Sequence, residues 1–499
     1  MLHRLLLGAI LLAPQARAAA LTASDLALLN RISWGINESS VAAMQAVGRE
    51  KWLNDQLHPS AARDVLPGPV QAQINAMSIS QHSMIELVAR LQVQNKTVNA
   101  IKDPAEKQPL AQAYQQAMTL PAREAAARSI LRDLYSPAQL REQMTWFWFN
   151  HFNVHQYKAD IRPMIADYEE HAIRDHALGR FRDLLGATAH HPAMLRYLDN
   201  TENAKGHINE NYAREIMELH TMGVGSGYSQ TDVQELARIL TGLGMDPRPP
   251  EQKLQLVAQG MMMPSGLVAL TPARHDFGDK VFLGATIKGS GEPEIEQALD
   301  MLARHPATAR HISIQLATYF LGEAPPEALT KQMSDTFLHS DGDIAAVLSV
   351  LFHSAVFEHA PERLKDPVHY AISAVRLAYD ERVILNTGPI QNWCNRMAEG
   401  FFNKDTPDGY PLNATAWNGP GQVSIRFEIA RQIGSGGAGL FKPDGPGAVD
   451  QPGFPMIQSA LFYNRLNAML SPTTRAALGQ AISPQEWNAL YLSSPEFMY

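Results

Sequence analysis

The sequence predicts a mainly α-helical fold with one small β-hairpin. Apolar residues recur at three- and four-residue intervals along most of the 499-residue chain. Helix-start signals recur as well: Ser136-Pro137-Ala138-Gln139 and Ser483-Pro484-Gln485-Glu486 each place Ser at the N-cap and Pro at the first helical position. Strand-like alternation is scarce. With 45% apolar residues, the predicted helices can bury a large core.

The first 18 residues have the pattern of a secretory signal. His3-Arg4 gives a basic start, an apolar run follows over 5–13, and Ala16-Arg17-Ala18 has the small-x-small pattern of a cleavage site. The apolar run is about half of what a bilayer span requires, and no later stretch is long enough. We therefore expect an exported protein, periplasmic or secreted, with no membrane span after cleavage.

Composition argues against a nucleic-acid partner. Removal of Arg4 and Arg17 lowers the Lys+Arg count from 42 to 40 against 50 Asp+Glu, a net charge of −10. An acidic chain without a basic block repels phosphate backbones. The single cysteine, Cys394, cannot form an internal disulfide, so stability must come from the core.

The helical pattern covers one unit from residue 19 to residue 499. Its expected helices lie near 24–35, 39–57, 81–99, 104–134, 137–155, 160–178, 210–222, 231–242, 293–304, 307–320, 325–338, 343–354, 366–380, 423–433, 456–469, 472–481 and 484–492. Two lobes, 19–245 and 290–499, are predicted within this unit, joined by a loop and hairpin over 246–289.

Two segments interrupt the helical pattern. A hairpin is expected within 254–287, where Leu254-Gln255-Leu256-Val257 and Lys280-Val281-Phe282-Leu283 flank Pro- and Gly-rich turns. Residues 403–455 form a long Gly/Pro-rich loop, and a loop of that length is a binding element or is disordered. Its interleaved aromatic residues indicate that it packs on something.

The segment around His151 is the first candidate for chemistry. Met144, Trp148, His151 and His155 share one face of a helix that carries aromatic residues all round. Buried imidazoles require partners. One interpretation is hydrogen bonding to backbone carbonyls; the other is a metal site, because His at i and i+4 is a known ligand spacing.

The second candidate is the helix that carries Glu215, Glu218 and His220. Arg214 and Glu218 are spaced to form an ordinary ion pair, whereas Glu215 has no obvious local partner. Carboxylates one turn apart can hold a cation, and a buried carboxyl group can act as a general acid. The alternative is a solvated polar face.

A third candidate is the turn His275-Asp276-Phe277-Gly278, which follows a Pro-rich loop. Loops on a rigid scaffold often carry function. The sequence contains no G-x-S-x-G elbow, no phosphate-binding G-x-x-x-x-G-K-[ST] loop, no H-E-x-x-H motif and no cysteine-based zinc or haem site.

Several of these motifs together resemble the bacterial family catalogued as domain of unknown function 1800. The resemblance rests on segments 141–152, 191–200, 209–220, 227–238 and 275–278, in that order, and extends from Leu28 to Phe497. It implies secretion and a helical body, but no established activity. Among the candidates, His151, Glu215, Glu218, His220 and His275 match family motifs, whereas His155 departs from the pattern. The resemblance also implies a partner, an exported sulfatase-like protein of the family catalogued as domain of unknown function 1501.

Three functions remain open at this point. The first is a metal-dependent enzyme in which His151, Glu215, Glu218 and His220 bind Zn, Fe or Mn, with His275 and Asp276 closing the site. The second is a metal-free enzyme acting on cell-envelope glycans, with Glu215 as general acid. The third is a non-catalytic partner or scaffold that binds the sulfatase-like protein through the 403–455 loop.

Overall fold

A computed structural model describes residues 21–60, 62, 64–246, 248–258, 266–443 and 453–499. The predicted signal over 1–18 lies outside these residues. Within them the chain folds into 26 α-helices and two small antiparallel sheets of two strands each, so the predicted mainly α fold is confirmed. No helix in the described ranges has both the length and the apolar character needed to cross a membrane.

The N-terminal part of the chain is helical throughout. Its helices are α1 (Ala23–Ile32), α2 (Glu38–Val47), α3 (Arg49–Leu57), α4 (Gly68–Asn75), α5 (Ser78–Gln81), α6 (Met84–Ala100), α7 (Pro104–Tyr135), α8 (Gln139–His151), α9 (Ile165–Asp167), α10 (Phe181–Ala189), α11 (Pro192–Tyr197), α12 (Asn211–Glu215) and α13 (Gln230–Ile239). Two single turns of π-helix, Tyr168–Ile173 and Ile216–His220, extend α9 and α12.

The strands and the C-terminal helices follow. The middle of the chain contains β1 (Leu243–Met245), α14 (Pro250–Ala258), β2 (Val268–Leu270), β3 (Lys280–Phe282) and β4 (Ala285–Ile287). The helices after it are α15 (Glu292–Ala303), α16 (Pro306–Leu321), α17 (Glu327–His339), α18 (Ile344–Phe352), α19 (Ala355–Glu358), α20 (Pro367–Tyr379), α21 (Gly388–Arg396), α22 (Pro420–Gly434), α23 (Ala460–Asn464), α24 (Pro472–Gly479), α25 (Pro484–Leu492) and α26 (Pro495–Met498).

The predicted hairpin is confirmed in one half and wrong in the other. Strands β3 and β4 pair around Leu283-Gly284, both of which have positive φ, as a tight two-residue turn requires. Leu254 to Val257, however, belong to α14 and not to a strand. Pro250 begins this helix, and the buried Lys253 donates a hydrogen bond from Nζ to the Asp246 carbonyl at 2.9 Å. A four-residue apolar run does not distinguish a strand from a helix.

Helix α22 (Pro420–Gly434) lies within the segment 403–455 that was predicted as one long loop, and the 404–410 part of that segment packs against α8. The Asn150 side chain donates to the Tyr410 carbonyl at 2.9 Å and accepts from the Tyr410 amide at 2.5 Å. Asn153 Nδ2 donates to the carbonyls of Lys404 and Thr406. The Tyr410 ring stacks on Trp146 with centroids 6.5 Å apart. The expectation that this loop packs on something is therefore met within the protein itself.

One continuous set of buried apolar side chains runs from Leu21 to Met498. It includes α8, whose aromatic side chains face several neighbouring helices, and α20, which packs against α7, α21 and α22. The division into lobes 19–245 and 290–499 stays a prediction. Helix α1 lies near the start of the described chain, and helices α25 and α26 lie at its end. All three lie around α16 and α20.

Candidate functional site

His151 and His220, two of the predicted metal ligands, lie together in the aromatic core with a third histidine, His311. The ring centroids of His220 and His311 lie 6.1 and 6.2 Å from that of His151. His151 Nε2 donates to the His220 carbonyl at 3.1 Å, and His311 Nε2 donates to the Leu219 carbonyl at 3.3 Å. Carbonyls at a helix end have no partner within the helix, so both imidazoles satisfy the end of the π-helical turn.

Burial keeps these three histidines neutral. It lowers the pKa of His220 to about 3, and it lowers that of His151 well below the usual range, with neighbouring His220 and His311 adding to the effect. The pKa of His311 is lowered for the same reason. His220 Nε2 is buried without a hydrogen-bond partner among the described residues.

Glu215 and Glu218 lie in a different electrostatic environment. Glu218 forms an ion pair with Arg214 at 3.2 Å, as the spacing predicted. Glu215 is half-buried, and its pKa is raised by burial and by the charges of Glu218 and Asp408, with Arg214 opposing them. The charges that act on Glu215 thus come from its own helix and from the 403–410 loop, not from the histidine cluster.

The predicted metal ligands therefore separate into an imidazole group and a carboxylate group. Among the residues that the structure describes, no three His, Cys, Asp or Glu side chains are placed to hold one metal ion. The set of His151, Glu215, Glu218 and His220 stays a prediction, and no converging ligand geometry supports it.

His275 and Asp276, predicted to close the site, stabilise the β3–β4 hairpin. His275 is buried; its Nδ1 donates to the Thr241 carbonyl at 2.7 Å and its Nε2 contacts Glu294 at 2.5 Å. Lys280 reaches the other oxygen of the Glu294 carboxylate at 2.6 Å, and all three side chains are fully inaccessible to solvent. Asp276 forms an ion pair with Arg238 at 2.9 Å. Each group is thus occupied by a partner within the protein.

A separate cleft is lined by residues that lie outside these motifs. It differs from the clusters above because much of its lining is apolar. Its cavity volume is about 100 Å³, and its walls come from α1, α16, α20, the 362–365 segment and the C-terminal helices. The apolar part of its lining includes Leu26, Phe320, Leu377, Leu466, Met469 and Leu470. Such a lining with a few polar groups is typical of small-molecule sites.

Three cations line this cleft, and among the described residues only Arg363 has a carboxylate within 4 Å. Lys365 is only 5% exposed; its Nζ donates to the Phe497 carbonyl at 2.5 Å and lies 4.2 Å from the centre of the Phe497 ring. Arg31 donates to the carbonyls of Phe357, Ala360 and Pro361. Arg363 stacks over the Tyr319 ring, and its nearest carboxylate oxygen, on Asp366, is 3.6 Å away.

The carboxylates near these cations are occupied or exposed. Asp366 accepts the His369 amide at 2.7 Å and so caps α20. The buried Glu399 carboxylate accepts a hydrogen bond from the Val368 amide at 3.0 Å. Burial raises the pKa of Glu399 well above the usual range. Glu496 accepts from the Ser471 amide and the Thr474 hydroxyl. Glu362 is exposed at the side of the cleft.

His369 lines the cleft beside Lys365. It is 3% exposed, and neither of its ring nitrogens makes a hydrogen bond of normal geometry within the described chain. Its pKa is well below the usual range because it is buried and because Arg363, Lys365 and Arg376 are cationic; the nearby Asn30 carbonyl opposes this slightly. Buried polar atoms of this kind are rare in folded proteins and indicate a functional position.

Burial and like charge also act on Lys365. Its pKa is lowered to about 7, first by burial and then by Arg426 and Arg363, with Glu362 opposing them. The pKa of Arg31 is lowered by burial and by Arg363. The cleft thus brings three cations together, of which Lys365 and Arg31 have no ion-pair partner among the described residues.

Lys365, His369, Arg363 and His311 lie in none of the sequence motifs that predicted site residues. A local signal was present, because Asp366-Pro367 marks a helix start and places Lys365 just before it and His369 in its first turn. Nothing local, however, places α1 or residues 466–499 beside this helix start. The cleft depends on contacts across more than 300 residues of sequence, such as that from Arg31 to Phe357.

The fold and the cleft define a mainly α-helical protein with a cation-lined cavity near both ends of the described chain. The chain belongs to the family described as Protein of unknown function (DUF1800), whose model matches residues 27–499. The match covers nearly the whole chain and confirms the resemblance seen in the sequence motifs. Searches of curated proteins and of solved structures each find no match.

Proposed function

We propose that this protein binds an anionic ligand with an apolar chain, such as a medium- or long-chain carboxylate, in the cleft between α1, α20 and the C-terminal helices. The observation that carries the proposal is Lys365, a buried amine with no carboxylate within 4 Å in the described structure, beside Arg363. A buried cation without a counter-ion is unfavourable, and a bound anion would supply the missing charge.

The polar end of the cleft matches the polar end of such a ligand. Arginine and lysine side chains bind carboxylates through charge-assisted hydrogen bonds, which are stronger than neutral ones. His369 offers ring nitrogens that make no hydrogen bond of normal geometry within the described part of the chain, although the Asn30 carbonyl is nearby. The ligand's head group is therefore expected between Arg363, Lys365 and His369.

The apolar walls match the rest of the ligand. Leu26 and Leu377 from α1 and α20, and Leu466 and Leu470 from the C-terminal region, supply aliphatic surface that a hydrocarbon chain would cover. Burial of apolar surface contributes roughly 25 cal/mol per Å². An alcohol of equal chain length would keep this contribution and lose the charge interaction.

Isothermal titration calorimetry with decanoate and decanol tests the proposal. We expect decanoate to bind at least about tenfold more tightly than decanol, since a hydrogen bond to a charged group contributes about 1.5–3 kcal/mol. Lys365→Met should abolish most of this preference. Lys331→Met, which removes an exposed lysine paired with Asp335 on α17, is the matched control and should bind decanoate normally. Equal affinity for decanoate and decanol would refute the proposal.

Export forms a second, separate part of the proposal. It is supported by the basic start, the apolar run and the Ala16-Arg17-Ala18 site in the sequence. N-terminal sequencing of protein recovered from the periplasm should give a chain that begins at residue 19. Recovery of the uncleaved chain from the cytoplasm only would contradict it.

The other predicted functions are not favoured by a specific contact. A metal-dependent enzyme would need imidazoles and carboxylates to converge, and the described histidines and glutamates form separate groups. Glu215 has a raised pKa, as a general acid requires, and this alone supports glycan chemistry. The sulfatase-like partner stays a prediction; the 403–417 part of its predicted docking loop is packed on α8.

A further inference from the structure

Lys365 is the only primary amine among the described residues that line the cleft. The cleft opens to solvent, while the amine itself is held in place by the Phe497 carbonyl and the face of the Phe497 ring. A neutral amine can donate one N–H to that carbonyl and still present its lone pair to a ligand. The contact that holds Lys365 is therefore compatible with nucleophilic attack.

We propose that Lys365 Nζ forms an imine with a carbonyl-bearing ligand in this cleft, an oxo acid with an apolar chain. The inference rests on the proposed function, because Arg363 would hold the carboxylate of the oxo acid. In a 2-oxo acid the carbonyl carbon is bonded directly to the carboxyl carbon. A carboxylate between Arg363 and Lys365 therefore places the carbonyl carbon next to the amine.

The reaction balances without a further reactant. The nitrogen lone pair of Lys365 attacks the carbonyl carbon, and the electrons of the C=O double bond move to oxygen. Transfer of one proton from nitrogen to oxygen gives a carbinolamine. A second proton lost from nitrogen and one gained by the hydroxyl release water as the C=N bond forms. Amine and ketone thus become imine and water.

His369 is placed to carry these protons. Burial keeps its imidazole neutral, so one ring nitrogen can accept a proton and the other can donate one. Neither nitrogen makes a hydrogen bond of normal geometry within the described residues, and the one backbone group that acts on the ring is the Asn30 carbonyl. His369 would thus transfer protons to and from a ligand that is attached to Lys365. It would not act on Lys365 in the absence of that ligand.

The environment of the amine supports the same reaction. An ordinary lysine is almost fully protonated at neutral pH and is a poor nucleophile. Burial and the charge of Arg426 bring the pKa of Lys365 to about 7, so about half of the amines are unprotonated there. Desolvation and a neighbouring cation are the two means by which lysine nucleophiles are activated in enzymes.

Reductive trapping tests the inference on the full protein. The protein is incubated with 2-oxodecanoate and sodium cyanoborohydride, which reduces an imine to a stable secondary amine, and the modified peptide is located by mass spectrometry. We expect one adduct, on Lys365, formed at least tenfold faster than on any exposed lysine. The trapping rate should rise between pH 6 and pH 8, as the amine loses its proton. An adduct spread over surface lysines, or none, would overturn the inference.

Lys365→Arg tests whether the trapped adduct requires the amine of Lys365. This variant keeps a cation in the cleft but has no amine that can form an imine, so it should give no trapped adduct. Lys331→Arg is the control and should be trapped normally at Lys365. Decanoate binding without trapping in the unaltered protein refutes only the imine. Failure of decanoate to bind refutes both.

Discussion

At the scale of single residues, the protein places ionisable side chains where water cannot solvate their charge. Lys365, His369, His151 and His220 are each held away from their ordinary protonation behaviour chiefly by burial. The histidines that satisfy carbonyls of the π-helical turn have a structural role. Lys365 and His369 differ from them because they line an open cleft. Among the described residues, Lys365 has no carboxylate within 4 Å and His369 has no hydrogen bond of normal geometry.

The charge of Lys365 makes ligand binding depend on pH. The pKa of Lys365 is about 7 in the free protein, and a bound carboxylate would raise it. Decanoate affinity should therefore be greatest below pH 7 and fall as pH rises through 7, by at most about tenfold per pH unit for one proton. Titration calorimetry between pH 6 and pH 9 measures this. Lys365→Arg should lose the dependence; an affinity that rises with pH in the unaltered protein would contradict the account.

The contribution of His220 to the free energy of unfolding is expected to depend on pH in the opposite direction: it falls as pH falls. Its pKa is about 3 in the folded protein and near 6.5 when unfolded, so the unfolded chain binds the proton first as pH falls. His220 should therefore reduce the free energy of unfolding by about 1.4 kcal/mol per pH unit between roughly pH 6 and pH 4. Urea unfolding of His220→Gln should show a shallower loss over this range. His353→Gln, which removes a half-exposed histidine, is the control for loss of an imidazole.

At the scale of elements, local signals predicted most helices and missed features that depend on backbone detail. Ser483-Pro484-Gln485-Glu486 predicted the start of α25, and the Ser483 side chain indeed accepts the Glu486 amide. The expected helix over 39–57 is instead two helices that meet at Gly48, which has a φ of 83°. The π-helical turn over Ile216–His220 has no distinct local signal, since its residues also favour an α-helix.

The contact between the 403–410 loop and α8 depends on Gly409. This residue has a φ of 72°, and a Cβ atom there would lie 2.2 Å from the Asn150 carbonyl oxygen. Gly409→Ala should lower the free energy of unfolding by about 2–4 kcal/mol, since a clash with backbone adds to the strain of positive φ. Gly225→Ala, at a φ of 71° and without a neighbour within 4 Å, is the control and should cost only about 1–2 kcal/mol. If urea unfolding shows the same loss of unfolding free energy for both variants, the contact between the loop and α8 is not tight.

The buried network of His275, Glu294 and Lys280 is expected to stabilise the hairpin. Lys280→Met would leave the inaccessible Glu294 carboxylate with only His275 and two backbone amides, Ser290 and Gly291. Removal of one partner from a buried ion pair costs about 3–5 kcal/mol. The double variant Lys280→Met with Glu294→Gln should recover part of this loss in thermal or urea unfolding. A loss below about 1 kcal/mol for Lys280→Met would contradict a structural role for the network.

At the scale of the whole molecule, the cleft exists because distant parts of the chain meet. The sequence motifs predicted the family and the helical body, and they correctly indicated that the His151 imidazole needs a buried partner. These motifs predicted that the candidate site residues lie between positions 146 and 280. The cleft instead lies between α1, residues 362–377 and residues 466–499. No local sequence pattern predicts that these segments contact one another.

A crystal structure of the protein with decanoate bound tests the central claim most directly. The account predicts the carboxylate within hydrogen-bond distance of Arg363 or Lys365, with the chain against Leu377 and Leu470. An empty cleft at a decanoate concentration that saturates binding in solution, or decanoate bound only elsewhere on the surface, would contradict it.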